Sequence, residues 1–196
     1  MLAIRGIQTS YESIRRWCMK FPKEYGKTLR KRQGKLGDIG YLDEIFLSIG
    51  GKRQYLWRTV DQDGDVIDIL IQSRRNKGAA RRFFKKLFKG QASIPLKIVT
   101  DKLRSYQAAL RDVAPSLPHI TDQYENNRAE ASHQPGRQQE RQMRQFKSPG
   151  QAQRFLSFHG LVINLFRRQR HLLSAENYRV LRDRAFVAWD QATCAY

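Results

Sequence analysis

The chain has 196 residues, of which 40% are hydrophobic, enough for one medium domain with a real core. Its two cysteines, Cys18 and Cys194, lie near opposite ends without metal-ligand spacing, which argues against a zinc module or a disulfide framework. No apolar run reaches transmembrane length and no secretory signal opens the chain, so a soluble cytosolic protein with no membrane partner is expected. A formal net charge of +19 predicts a polyanion partner, nucleic acid first. The charge sits in two flanks: residues 1–36 carry ten Lys/Arg against two acids, and residues 128–184 carry twelve against four.

In chain order, residues 1–8 read as the end of a helix or turn closed by Gly6. Thr9 offers an N-cap with Glu12 three residues on, the pattern of a capping box. In the following helix Ile14, Trp17, Cys18 and Phe21 share one face, with the basic Arg15, Arg16 and Lys20 off it. Helix, turn and basic helix resemble the second half of a helix-turn-helix, while a plain amphipathic helix with a solvated basic side explains the same pattern. Lys27–Lys35 reads as a basic linker. It divides a partial helix-turn-helix (residues 1–36) from a core over residues 37–196.

Three runs of β-branched, aromatic and aliphatic residues follow: Tyr41–Ile49, Gln54–Val60 and Val66–Ile71. Gly50-Gly51 and Asp63-Gly64 separate them and favour tight hairpins, which predicts an antiparallel meander. Asp61, Asp63 and Asp65 are read as hairpin residues, because Gly64 falls in the wrong place for a calcium loop and no Glu closes it. Asn76–Lys89 has one apolar and one basic side, as expected of a helix on the sheet. Leu96–Thr100 reads as a buried strand ending at Asp101. Lys102–Val113 is a helix, Ala114–Pro118 breaks it, and His119–Asp122 is a brief strand. Helices are expected over Asn127–Phe146, interrupted at Pro135-Gly136, over Gly150–Arg170 after Ser148-Pro149, and over Ser174–Ala192. Three antiparallel strands followed by alternating helix and strand predict an α/β protein of the ribonuclease H-like fold, with added C-terminal helices.

Within that fold, Asp43 lies in mid-strand, where an acid is a poor strand former and needs an explanation. Asp101 ends the fourth strand, a neighbour of the first. Glu130 falls near the start of a later helix. Taken singly, Asp101 is also read as a turn or cap residue and Glu130 as an ordinary first-turn acid. Together, three carboxylates at one site repel one another unless a hard cation neutralises them, and Mg²⁺ or Mn²⁺, as two ions, suits oxygen ligands and phosphoryl transfer. Glu44, one residue from Asp43, points to the other face of the strand.

The stretches YLDEIFLSIGGKRQYLWRTVDQDGDVIDILIQSRRNKGAARRFFKKL, IVTDKLRSYQAAL and NNRAEASHQPGRQQERQMRQFKSPGQAQRFL closely resemble the DDE transposases of the bacterial insertion-sequence family six. The motifs are a D-E on the first strand, T-D-K at the fourth, and N-N-x-x-E followed by F-K-S. The resemblance implies that Asp43, Asp101 and Glu130 are the catalytic metal ligands. It also implies nicking of inverted-repeat DNA ends to give 3′-hydroxyls and their joining to target DNA, by a homodimer or higher oligomer in the nucleoid. His133, Gln134 and Arg137 share a helical face with Glu130 and, by analogy with integrases, contact DNA. Arg128, Arg141, Arg144 and Lys147 are candidate backbone contacts, as are Arg15, Arg16, Lys20 and Lys102. Two departures stand out: 28 residues separate Asp101 from Glu130, fewer than in many members, and the N-terminal part of the helix-turn-helix is missing, which predicts a shortened chain. A remnant that only binds DNA and a nuclease on the same fold remain the rival expectations.

Overall fold

The structure is a computed structural model, and it describes residues 8, 10, 12, 13, 16, 20, 22–32, 37–89, 94–121, 146–166 and 173–193. They fall into two compact units, one of Gly34–Asn164 and one of Met1–Gln33 with Leu165–Tyr196.

The first unit is built on β1 (Ile39–Ile49), β2 (Lys52–Asp61), β3 (Val66–Gln72), β4 (Lys97–Val99) and β5 (His119–Ile120), in the order β3-β2-β1-β4-β5. β1, β2 and β3 form the antiparallel meander, and β4 and β5 continue the sheet in parallel. That is the expected ribonuclease H-like topology. Gly50 and Gly51, at φ 58° and 73°, make the first hairpin in the left-handed region that glycine enters without strain. At the second hairpin the Asp61 carboxylate accepts from the Asp63 and Asp65 N–H groups at 3.0 and 2.9 Å. Its role is thus the turn-forming one expected of it.

Two α-helices, α2 (Lys77–Lys89) and α3 (Arg104–Val113), cover one face. Leu42, Trp57, Ile67 and Ile98 meet Phe83, Phe84, Leu87, Tyr106 and Leu110 in the core they enclose. Asn76 caps α2, its side chain accepting from the Ala79 N–H at 3.0 Å. On the other face Tyr41, Leu56, Val60, Val66, Ile69 and Val99 pack with Leu156 of α4 (Pro149–Phe166). A bulge shifts the register between Thr59, which pairs with Asp68, and Val60, which pairs with Val66. The pleat shifts there, so Val66 and Ile69 face one core while Ile67 faces the other.

β3 is an edge strand, and α4 satisfies part of its backbone. Asn164 accepts from the Val66 N–H at 2.8 Å and donates to the Val66 carbonyl at 2.7 Å. Three helical turns earlier, Gln153 accepts from the Ile71 N–H at 2.7 Å and donates to the Ile69 carbonyl at 3.1 Å. Two amides on one helical stripe thus stand in for a missing strand. Gly160 lies between them, and a Cβ there would come within 3.2 Å of Val66 Cγ1.

In the second unit, α1 (Pro22–Arg32) corrects the expected linker at Lys27–Lys35, since residues through Arg32 are helical. Pro22 opens the helix, where its missing N–H is no loss. Lys, Arg and Leu are good helix formers, and Leu29 is buried while Lys27, Arg30 and Lys31 stay exposed. Periodicity missed a helix in which, among the described side chains, Leu29 is the buried one. Ser10 accepts from the Ser13 N–H at 3.1 Å, an N-cap contact. Thr9, the expected cap, lies outside the described residues. The last helix, α5 (Ala175–Thr193), buries Ala185 and Ala192, and Phe166 meets Phe186 and Trp189 at ring distances of 5.2 and 6.0 Å.

Asn164→Ala should leave the buried Val66 N–H and carbonyl unsatisfied and cost about 2–3 kcal/mol in urea unfolding. Gln153→Ala, at a half-buried position that water reaches, should cost about 1 kcal/mol. His159 stacks on Phe155 at 5.7 Å, and burial, with the charge of Arg58, holds its imidazole below the usual value of 6.5. The unfolded chain therefore binds that proton more readily, and stability present above pH 6.5 is lost as pH falls toward the folded value. His159→Gln should flatten that part of a stability-versus-pH profile.

Candidate active site

Asp43 and Asp101 reach the same level of the sheet from neighbouring strands. β1 and β4 run parallel, with Gly40 beside Ile98 and Tyr41 beside Val99. Each aspartate stands two residues past that last pair. Asp43 is half-buried, and Arg58, itself buried, is its cross-strand partner in β2. Asp101 comes where β4 has ended and the chain turns into α3. Its Oδ1 accepts from the Leu103 N–H at 3.0 Å, and its Oδ2 accepts from Arg75 Nη2 at 3.4 Å. Of the turn or cap role that Asp101 also suggested, the structure shows the turn: Oδ1 holds the Leu103 N–H ahead of a helix without a side-chain cap.

Glu44 takes the opposite face, as strand alternation requires. Its side chain is only 3% exposed, ion-paired with Arg75 and accepting a hydrogen bond from the Tyr106 hydroxyl. Burial raises the Glu44 carboxyl above its ordinary value. The Tyr106 hydrogen bond opposes this, the charge of Asp101 adds to it, Arg75 lowers it and Asp43 raises it. Burial, and then the charge of Glu44, push the Tyr106 phenol well above the usual 10.0, so it stays protonated and donates. Strand alternation indicated that Glu44 is set apart from Asp43, and an acid among Leu42, Trp57 and Tyr106 must find a partner. Which residue would serve could not be read from spacing, because Arg75 and Tyr106 come from distant parts of the chain.

The donor chemistry fits a hard divalent cation: two carboxylates at one level, each with oxygen ligands, whose like charges need compensation. Among the described residues no group of three or more His, Cys, Asp or Glu side chains is placed to hold a metal. Glu130, the expected third ligand, lies outside the described residues, as do Arg15, Arg128, His133, Gln134, Arg137, Arg141 and Arg144. Lys102 is exposed directly after Asp101. Lys147 is exposed ahead of α4, its N–H donating to Gln151 Oε1 at 2.8 Å. Arg16, which approaches Glu12 at 3.8 Å, and Lys20 are exposed in the other unit.

The DDE domain family matches residues 40–169, about two-thirds of the chain. The transposase of the insertion-sequence-like element IS431mec of Staphylococcus aureus is 29% identical over 138 residues, 68% of this chain and 61% of the relative. The transposase of element IS257 in transposon Tn4003, also of Staphylococcus aureus, is 29% identical over 134 residues, 66% of this chain and 59% of the relative. The chain thus spans about three-fifths of the length of the curated relatives it matches. Among solved structures, the catalytic domain of the Mos1 mariner transposase is similar at 12% identity and a TM-score of 0.45, covering 91% of this chain and 96% of that one. The HTLV-2 integrase catalytic core in complex with magnesium is similar at 17% identity and a TM-score of 0.39, covering 81% and 88%. With Asp43 and Asp101 inside the matched segment, the chain belongs to the DDE domain family of insertion-sequence transposases.

Proposed function

We propose that this chain carries the catalytic core of a DNA transposase, which nicks element ends and joins them to target DNA. The observation that carries the reading is the placement of Asp43 and Asp101 at one level of neighbouring parallel strands, in a chain of this family. Asp43, Asp101 and Glu130 are the residues that would hold Mg²⁺ or Mn²⁺, as two ions. When bound, such ions supply Lewis acidity to phosphoryl oxygens and lower the pKa of an attacking hydroxyl.

The chemistry conserves bonds. In nicking, a water oxygen attacks phosphorus and the P–O3′ bond breaks, leaving a 5′-phosphate and a 3′-hydroxyl. In joining, that 3′-hydroxyl attacks a target phosphodiester. One P–O bond forms, one breaks, and the displaced target 3′-oxygen leaves as a hydroxyl. No energy source beyond the phosphodiester itself is needed. What the chain must supply is position: Asp43 is carried by the paired strand β1, and Asp101 is fixed just past β4 by the Leu103 N–H. The net charge of +19 supports a DNA partner. Lys102 beside the site, Lys147, Arg16 and Lys20, with Arg15, Arg128, His133, Gln134, Arg137, Arg141 and Arg144, are the proposed DNA contacts. Assembly as a homodimer or higher oligomer on paired ends belongs to the same proposal. No helix among the described residues is long and apolar enough to cross a membrane.

A strand-transfer assay tests this, using a pre-cut duplex with the terminal sequence of the element that encodes the chain, a plasmid target and Mg²⁺ or Mn²⁺. The wild type should join the duplex, and Asp43→Asn and Asp101→Asn should each lose about 10³-fold or more. Joining by Asp43→Asn at the wild-type rate would overturn the reading. Binding without joining would instead mark a remnant, and hydrolysis without joining a nuclease. Affinity for the duplex should fall by about 10³-fold or more between about 50 and 200 mM salt. A flat dependence would contradict a phosphate-dominated interface.

A further inference from the structure

We infer that Arg75 is a phosphate-binding residue of the catalytic site, anchored from behind by Glu44 and Tyr106 so that its guanidinium faces the DNA strand on which Asp43 and Asp101 act. The inference rests on the transposase reading above and adds a residue to it.

Arg75 follows the end of β3, on the face of the sheet that carries Glu44 and Phe46. Its guanidinium stands between two carboxylates in unequal settings. The Glu44 side chain is 3% exposed, and the Asp101 side chain, at 3.4 Å, is 40% exposed. Coulomb attraction is stronger in the poorly solvated site and screened in the open one, so Glu44 holds the arginine and Asp101 only touches it. Glu44 is itself fixed by Tyr106, whose fully buried ring packs edge-on against Trp57 at 5.4 Å. Beneath the arginine lies Phe46, its ring centroid 5.9 Å from Cζ. Glu44 from one side and the Phe46 ring from another thus hold the guanidinium.

Both carboxylate contacts use Nη2. Among the described residues Nε and Nη1 donate to neither acid, and the Arg75 side chain keeps 32% exposure. A purely structural ion pair would gain most by closing over both partners. Here the buried partner, Glu44, is on one side and the more exposed Asp101 on the other. A phosphodiester entering beside Asp101 adds negative oxygens where carboxylate charge is already present. A planar fork of N–H donors is the side chain that matches a phosphate in charge and shape. Its fixed position lets it meet charge that builds on those oxygens during transfer without reorganising first. Glu44 has a second consequence: by owning Arg75 it keeps the guanidinium from closing on Asp101 and competing with a cation there.

The test uses the full chain as wild type, Arg75→Gln and Arg75→Lys, with three readouts. Affinity for a pre-cut duplex lacking the 3′-hydroxyl is measured against salt. Joining of the same duplex with its 3′-hydroxyl is timed, and Mn²⁺ affinity is read by electron paramagnetic resonance. In Arg75→Gln the slope of log affinity against log salt should shrink by about 0.9, the loss of one phosphate contact. Joining should fall by about 10²–10³-fold, while Mn²⁺ affinity should stay within about threefold of wild type. Arg75→Lys, which keeps the charge and the Glu44 pair, should hold the salt slope but recover only part of the rate, because an ammonium has no fork. An unchanged slope in Arg75→Gln, with joining intact or lost, would overturn the inference, and so would a collapse of Mn²⁺ affinity. Wild-type protein that binds Mn²⁺ and the duplex but never joins it would remove the transposase reading and this inference with it.

Discussion

The two-residue period of β1 is the constraint on which the site depends. Asp43 and Glu44 are adjacent and chemically alike, yet the pleat sends them to opposite faces. Asp43 goes to the level where β4 ends and Asp101 begins its turn. Glu44 goes into the aromatic core, where a charge survives only because Arg75 and Tyr106 meet it. A one-residue slip of β1 would exchange these fates, putting Asp43 inside and Glu44 in the open. The register is protected against that slip by the Gly50-Gly51 hairpin, by ten paired positions between β1 and β2, and by the apolar residues that flank the acids.

The rest of the fold reads as support for that register. On one face Phe83, Phe84 and Tyr106 pack with Trp57, and Tyr106 of that cluster donates to Glu44. On the other face α4 seals the free edge of β3 with the side chains of Gln153 and Asn164 instead of a sixth strand. An unsealed edge invites pairing with another chain, and a sheet that pairs at its edge would not keep one geometry. The bulge in β3 makes the seal possible, because it brings Val66, Ile69 and Ile71 to the same core despite their odd spacing.

Much of the first unit was legible in the sequence because its signals are local. Gly50-Gly51 and Asp63-Gly64 marked the hairpins, runs of β-branched, aromatic and aliphatic residues marked the strands, and Asn76 and Ser148 stand where caps were needed. The placement of Asp43 and Asp101 followed from strand order alone. What local signals could not carry was the choice of partners across the fold. Arg75 looked like one basic residue among many, and Tyr106 like one aromatic on a helix, until tertiary contact joined both to Glu44. The helix over Pro22–Arg32 was missed for the opposite reason: its helical propensity was high, but with Leu29 as its buried anchor it showed no apolar stripe.

The central claim is that two neighbouring acids in one strand have separate duties, Asp43 as metal ligand and Glu44 as the buried anchor of Arg75. A Mn²⁺ titration of the full chain, followed by electron paramagnetic resonance, compares Asp43→Asn with Glu44→Gln most directly. The claim predicts that Asp43→Asn weakens Mn²⁺ binding by about tenfold or more, while Glu44→Gln, which retains shape and hydrogen bonding to Tyr106, changes it by less than about threefold. The reverse result, with Glu44→Gln abolishing binding and Asp43→Asn leaving it intact, would contradict it.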